Sequence, residues 1–271
     1  MSRTPGATTT MAEFDEYRGP NMAVDVAVLT QDSDGLAVLV QTRASSPRGT
    51  VLPGRFLREG ETVGVGLGTA LRDKAGLDVG PVDATLDDVA SEGSLSTPIR
   101  AHLVGVFDRP GRDRRSSWSM SLAHYVVLPH DRLQGARGEF IPVLRDGSVG
   151  IDLLFDHDAI VREAARHLRA RYELTPDPDN LLGGDEITLP DLQDVHEAVL
   201  GERLRTDTFR RRMESLLDDI ADPEDPTGKR RKTRPSGSRG GPPTRLWARR
   251  SISDGVTVGA NRLLRLPRAG D

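Results

Sequence analysis

Residues 51–79 read VLPGRFLREGETVGVGLGTALRDKAGLDV, and residues 61–74 within them carry a helical pattern with Gly76 placed to close it as a C-cap. Gly64, Gly66 and Gly68 lie inside that helix, where each costs roughly 1 kcal/mol relative to alanine. They do not form a dinucleotide-binding fingerprint, because G-x-G-x-x-G fails at Thr69. Small side chains that let the backbone pack closely are the reason we expect for them.

Working outward, Met22, Val24, Val26 and Val28 alternate, as do Leu36, Val38 and Val40, on either side of Asp32-Ser33-Asp34-Gly35. This predicts a β-hairpin with turn residues able to take positive φ. A loop-rich stretch at 82–96 precedes strands at 101–107 and 119–128. In the second strand Met120, Leu122, Val126 and Leu128 share one face. Between the two runs a polar, arginine-rich loop, DRPGRDRRSS, at 108–117. After Asp156, read as an N-cap, the period becomes helical: Ile160, Ala164, Leu168 and Tyr172 form one stripe of 156–173. Thr175-Pro176-Asp177-Pro178 ends this helix and marks a boundary. Leu189, Leu192, Val195 and Val199 form a second stripe, between Thr188 and Gly201. Phe209, Met213, Leu216, Leu217 and Ile220 form a third, after the cap candidate Thr206. The connection 201–205 is short enough for a helix-turn-helix. From Pro226 to Arg250 there are many cations and no acid.

The 271 residues suffice for one large domain or two smaller ones. Charged residues make up 29%, and the net charge of −4 is unevenly spread. The absence of cysteine excludes disulfides and thiolate metal sites and fits a cytoplasmic location. No run of about 18 apolar residues is present, so no membrane partner is expected. Residues 1–19 lack the apolar core of a signal peptide. They are expected as a disordered tail, with Met11 and Met22 as alternative starts.

The segment 51–79 resembles the Nudix box, G-x5-E-x7-R-E-U-x-E-E-x-G-U with U aliphatic, usually preceded by Leu-Pro-Gly. Leu52-Pro53-Gly54 is present, and Glu61, Leu71, Gly76 and Leu77 fall on their places. The family's glycine is Arg55, its arginine is Thr69, and the R-E-U-x-E-E core reads TALRDK over 69–74. In active members the glutamates of that core hold a divalent metal against the substrate's phosphates. Mg2+ needs hard oxygen ligands, and it polarises phosphoryl oxygens and activates water. Ala70 and Lys74 supply no such oxygen, Lys74 brings a cation where the metal would sit, and Asp73 is shorter than glutamate. The resemblance therefore implies a Nudix α/β/α sandwich with a mixed sheet whose box is vestigial. Glu61 and Asp73 remain in it, no metal site and no catalytic residue are expected, and no cofactor is required. Mg2+ enters only if some hydrolysis persists.

Residues 155–213 and 104–129 are similar almost throughout to the Nudix-related transcriptional regulators of the NrtR type. In those proteins a Nudix-like domain binds ADP-ribose or a related NAD metabolite, and a winged helix-turn-helix binds operators of NAD-metabolism genes. The resemblance covers about 22–248; the loop at 82–96, a longer basic insertion around 221–239 and the tail after 249 depart from it. It implies an α+β chain divided into a tail (1–19), a ligand-sensing domain (20–155), a linker helix (156–175), a winged helix domain (176–250) and a C-terminal tail (251–271). The implied function is a DNA-binding transcriptional regulator, a repressor of NAD-metabolism genes. Its partners would be a double-stranded operator, a nucleotide effector and a second copy of the chain, with the linker helix acting as a lever.

Arg210, Arg211 and Arg212 follow Thr206-Asp207-Thr208 at the start of the third helix, and a major groove accepts such a helix by its N-terminal half. Thr206 and Thr208 can donate to phosphates. Lys229, Arg230, Arg231 and Lys232, followed by Gly240-Gly241 and Arg245, read as a wing between two short strands, with Trp247 anchoring it. For the ligand, Arg109, Arg112, Arg114 and Arg115 offer guanidinium forks to a diphosphate, and Arg55, Glu61 and Arg72 line the same expected cleft. The competing readings are a solvated helix face for the arginine run and a ligand-blind DNA-binding protein. A third is a Nudix hydrolase of a nucleoside diphosphate derivative such as ADP-ribose, using Glu59, Glu61 and Asp73. The histidines form no helical zinc pair, since no two are four apart, and His167 reads as a surface residue.

Overall fold

The computed structural model describes residues 19–84, 98–116, 118–227, 229–235 and 243–249. The expected tails, most of the 82–96 loop, and the wing tip at 236–242 with Arg239 and Gly240-Gly241 lie outside the described residues. Strand β1 (Asn21–Asp32) is the spine. Val24, Val26 and Val28 point to one face, Ala27 and Leu29 to the other, and all five are buried. β2 (Gly35–Arg43) returns antiparallel with Asp32 opposite Gly35, the hairpin expected. Gly35 takes φ +127° there, and the Asp32 carboxylate accepts the Asp34 N–H at 2.8 Å. On its other side β1 pairs in parallel with β8 (Ser119–Val127), which pairs antiparallel with β7 (His102–Phe107). β3 (Gly49–Val51), β4 (Gly54–Phe56) and β9 (Glu139–Pro142) complete a seven-stranded mixed sheet. β5 (Val82–Asp83) and β6 (Ile99–Arg100) form a small parallel pair.

Helix α1 (Val63–Asp73) covers one face of the sheet. The Thr62 hydroxyl accepts the Val65 N–H at 3.3 Å, and Gly76 at φ +70° closes the C-terminus. There the Leu77 N–H returns to the Leu71 carbonyl at 3.0 Å. Leu67, Ala70 and Leu71 bury against Val24, Val26 and Val28, on the order of 2 kcal/mol for each leucine. The close-packing expectation for the glycines holds at two of the three. A Cβ on Gly64 would lie 2.5 Å from the Val82 carbonyl oxygen and one on Gly66 2.2 Å from Leu57 Cδ2, whereas Gly68 has only an ordinary contact at 3.5 Å.

Helix α2 (His157–Tyr172) covers the opposite face with Ile160, Val161, Ala164 and Leu168. The expected connecting helix is thus also the third layer of an α/β/α sandwich. Asp156 is the N-cap residue, as expected, and its carbonyl accepts the Ile160 N–H at 3.2 Å, but at φ +68° its side chain makes no capping hydrogen bond and turns to Arg109 and Arg112 instead.

The second unit is an α+β winged helix. α3 (Leu189–Leu200) begins and ends where the sequence places it, with Thr188 accepting the Asp191 N–H at 3.2 Å and Gly201 left-handed at φ +71°. α4 (Thr206–Glu214) is shorter than its apolar stripe suggests. The Ser215 and Leu216 N–H groups fold back on the carbonyls of Arg212 and Met213, and Leu217 opens strand β11 (Leu217–Asp219). Thr206 is the first helical residue rather than the cap, and its hydroxyl accepts from Gln193 Nε2 at 3.2 Å. β13 (Thr244–Arg249) lies between β10 (Glu186–Thr188) on one side and β11 and β12 (Thr233–Arg234) on the other.

The two units share one apolar core. Phe209, Met213, Val195, Val199 and Trp247 belong to the same cluster as Ala27, Leu29, Val38 and Ile160. At the joint, the buried Asp177 (φ +41°) accepts the Tyr172 hydroxyl at 2.7 Å, the Leu181 N–H at 2.8 Å and Arg249 at 2.6 Å.

Candidate ligand cleft and DNA-reading face

Two adjoining clefts open beside α1. One, of about 280 Å3, is lined by Asp25, Arg43, Arg115 and Phe155 among others; the second, of about 460 Å3, holds the vestigial box. Arg55 and Lys74 line both. Asp25 is the floor of the first. Arg112 donates to it at 3.2 Å and to the Phe155 carbonyl at 2.9 Å. His157 Nδ1 accepts the Leu52 N–H at 2.8 Å, and its Nε2 stands 3.5 Å from Asp25, inside ion-pair range but long for a hydrogen bond. Burial pushes the Asp25 pKa up, but His157, Ser121 and Arg112 together outweigh it and hold the carboxyl at about 2. Gly54 is required here: a Cβ would sit 2.1 Å from Asp25 Oδ1. That gives the Leu-Pro-Gly run a physical reason in this chain.

The expected ligand arginines divide. Arg112 is buried and committed to Asp25, while Arg109 is exposed on Asp156. Arg114 is exposed and lines neither cleft. Arg115 pairs with Asp113 at 2.5 Å and lies 5.1 Å over the Phe155 ring, which Arg43 also approaches at 5.8 Å. Asp25, His157, Arg43 and Phe155 escaped the sequence reading. A carboxylate between Val24 and Val26 in an otherwise apolar strand was the available signal.

In the second cleft Arg55 takes both oxygens of Glu61, at 3.0 and 2.9 Å, and the Arg58 N–H donates to it at 2.7 Å. These bonds, the backbone one foremost, hold Glu61 below the usual carboxylate range. Arg72 approaches Asp73 at 3.6 Å. The Thr69 hydroxyl donates to the Val65 carbonyl at 2.8 Å. Ala70 is wholly buried against the sheet and does not face the cleft. Glu59 is exposed and lines neither cleft. Among the described residues no group of three histidines or carboxylates could hold a metal ion.

On α4, Phe209 and Met213 turn inward, and Thr206, Arg210 and Arg211 are exposed. Thr208 is half-buried. Arg210 leans on Glu214 at 3.2 Å and Arg211 on the Asp207 carbonyl at 3.3 Å. Arg212 points the other way, donating to the Glu173 carbonyl at the end of α2 at 2.6 Å. The basic stretch, which has no acid of its own, meets acids from other elements. Arg230 pairs with Asp222 at 2.6 Å, Arg231 with Asp219 at 3.1 Å and Lys232 with Glu186 at 2.5 Å. Arg234 pairs with Asp191, and Arg245 with Asp219 while stacking 4.1 Å over Trp247. Lys229 is exposed, and Trp247 is buried in the core as expected.

Residues 180–235 match the family model of the NrtR DNA-binding winged helix domain. An Acinetobacter baylyi protein described as an ADPR responsive transcriptional repressor is 27% identical over 225 residues, covering 79% of this chain and 81% of its own length. The crystal structure of Shewanella oneidensis NrtR complexed with a 27mer DNA is similar over 84% of this chain and 93% of that one, with a TM-score of 0.59 and 22% identity. That of a MutT/nudix family protein from Enterococcus faecalis is similar over 90% and 95%, with a TM-score of 0.62 and 17% identity. No helix among the described residues is long and apolar enough to cross a membrane. A Nudix-type sandwich that shares its core with a winged helix matching the NrtR family model makes this chain similar, over most of its length, to the Nudix-related transcriptional regulators of the NrtR type.

Proposed function

We propose that the protein is a repressor of NAD-metabolism genes that senses ADP-ribose, or a closely related nucleotide, in the twin cleft beside α1 and binds its operator through the winged helix. The observation that carries this reading is the single apolar core running from the sensor sheet through α2 and α3 to α4. A ligand that alters the packing of the sheet against α2 thereby alters the seat of the reading helix. The effector can release DNA only by its differential affinity for the two arrangements. The likeness to the ADPR responsive repressor supplies the nucleotide.

In this reading Arg43, Arg55, Arg72, Arg115 and Lys74 receive the effector, with Arg109 and Arg112 fixing the loop that carries Arg115. Thr206, Arg210 and Arg211 enter the major groove, and Lys229, Arg230, Arg231, Lys232 and Arg245 approach the flanking phosphates. Arg212 supports α4 from its inner side, and Thr208, half-buried, lies at the edge of the reading face. The active species is a homodimer on a two-fold operator. Isothermal calorimetry with ADP-ribose, paired with a mobility-shift assay on the operator, tests both halves. Saturable heat, weakened DNA binding at saturating ligand and ADP-ribose recovered intact after incubation with Mg2+ are expected. Operator affinity unmoved by bound ligand would refute the sensor role.

A further inference from the structure

Nudix enzymes bring phosphates to the protein through a divalent metal, and the donor set of the second cleft does not fit one. It contains two carboxylates, Glu61 and Asp73, among four cations, Arg55, Arg58, Arg72 and Lys74. Both Glu61 oxygens are taken by Arg55, and one also by the Arg58 N–H. The backbone oxygens at the end of α1 are spoken for as well. Gln41 Nε2 donates to the Lys74 carbonyl at 2.6 Å, and Arg137 Nη1 to that of Asp73 at 3.3 Å. A hard cation needs six or so oxygens near 2 Å, and here it would meet few, in a field of the wrong sign.

We infer that this cleft receives a diphosphate directly on Arg55, Arg58, Arg72 and Lys74, with no metal between. The cations stand in for the ion that the carboxylates of an active box would recruit. Guanidinium and ammonium groups suit phosphate oxygens, the first as bidentate forks and the second as a point charge. Lys74 lines both clefts, so it meets the phosphates where they pass from the box toward Asp25 and Phe155. Mg2+ opposes this binding, because it neutralises the diphosphate before the protein does and brings a further cation into a cationic cleft. The inference rests on the sensor reading for the identity of the nucleotide, but not for the chemistry of the site.

Two probes separate the two. Inorganic pyrophosphate and ADP-ribose are each titrated into the full chain by calorimetry, once in excess EDTA and once in Mg2+. Pyrophosphate binds in EDTA and Mg2+ does not strengthen it. Lys74→Ala, a change away from the core, weakens binding roughly tenfold or more, as expected for losing a charge-assisted contact. Lys74→Glu, which returns an acid to the box, abolishes binding in EDTA. Pyrophosphate that binds only with Mg2+, that gives no heat in EDTA, or that ignores Lys74→Ala overturns the inference. ADP-ribose that binds only with Mg2+ overturns it while leaving the sensor reading intact. Metal-free pyrophosphate binding with ADP-ribose silent upholds it and sinks the choice of nucleotide.

Discussion

Asp219 is the residue whose removal says most about the reading face. Its two oxygens hold Arg231, at 3.1 Å, and Arg245. All three side chains are about two-fifths exposed, so each pair adds only ~0–1 kcal/mol to stability. Asp219→Asn therefore leaves the fold intact and takes from each of two guanidinium groups the carboxylate that competes with phosphate. Each phosphate neutralised by a released cation adds about 0.9 to the slope of log K against log salt, so two add about 1.8. Between about 50 and 200 mM salt, a slope difference of that size is worth roughly a factor of 12. The variant should bind DNA more tightly than the parent, and its advantage should shrink by roughly that factor over the range. Fluorescence anisotropy on a labelled duplex reads this out, and any sequence serves because phosphate contacts are sequence-independent. Parallel salt plots for parent and variant would refute the argument. They would mean that Arg231 and Arg245 never reach phosphate, and that the basic run serves to hold β11 and β13 together.

The buried joint gives stability a pH dependence. Burial lowers the His196 pKa from 6.5 to about 4, so between those values the unfolded chain binds the proton and the native one does not. Stability is full above about pH 6.5 and is lost as the pH falls toward 4, by about 2 kcal/mol at pH ~5. Burial shifts His124 the same way. Urea denaturation near pH 7.5 and near pH 5 measures the drop, and His196→Gln should shrink it by that amount; an equal drop in both proteins refutes the assignment. Gly64 and Gly68 should respond with opposite signs to alanine. A Cβ on Gly68 meets only Val82 Cγ2 at 3.5 Å, so helix propensity prevails and Gly68→Ala gains about 0.5–1 kcal/mol. One on Gly64 strikes the Val82 backbone at 2.5 Å, so Gly64→Ala loses about 1–2 kcal/mol. Thermal melts of the pair that shift in the same direction would refute the packing account.

What the sequence made legible was local. The hairpin through Gly35, the closure of α1 at Gly76 and the caps of α3 at Thr188 and Gly201 rest on φ preferences and on hydrogen bonds a few residues long. The resemblance to the Nudix box is likewise carried by residues close in sequence, and with it the absence of carboxylates at Ala70 and Lys74. What failed to read was tertiary. Asp25 finds Arg112 87 positions away, and Leu52 finds His157 105 away. The stripe of α4 ran on through Leu217 because a strand residue paired with β13 is as apolar as a helical one. Asp156 is the N-cap that the sequence suggests, but its carboxylate serves two arginines that the sequence did not connect to it.

Charge shows this most clearly, and it bears on how the protein switches. Along the chain the wing is a run of cations and the box a mixture. In the fold the wing's Arg230, Arg231, Lys232, Arg234 and Arg245 each meet a carboxylate, while the box cleft sets four cations against two acids. The cleft keeps a surplus of two cations where a diphosphate would sit, and on the reading face these five cations are held by four internal carboxylates. A reader that must exchange internal carboxylates for DNA phosphates gains only the difference between them. In the proposed reading its hold on an operator is correspondingly modest, and less steeply dependent on salt than that of the Asp219→Asn variant. Such a hold needs little to release it: a coupling of ~1–3 kcal/mol, the common range, shifts affinity by roughly 5- to 150-fold. In the proposed reading, two contacts stand where that coupling would have to pass. Arg212 ties α4 to the last turn of α2 through the Glu173 carbonyl, and Asp177 ties that same turn to β13 through Arg249. A ligand that shifted α2 from its His157 end would have to shift both.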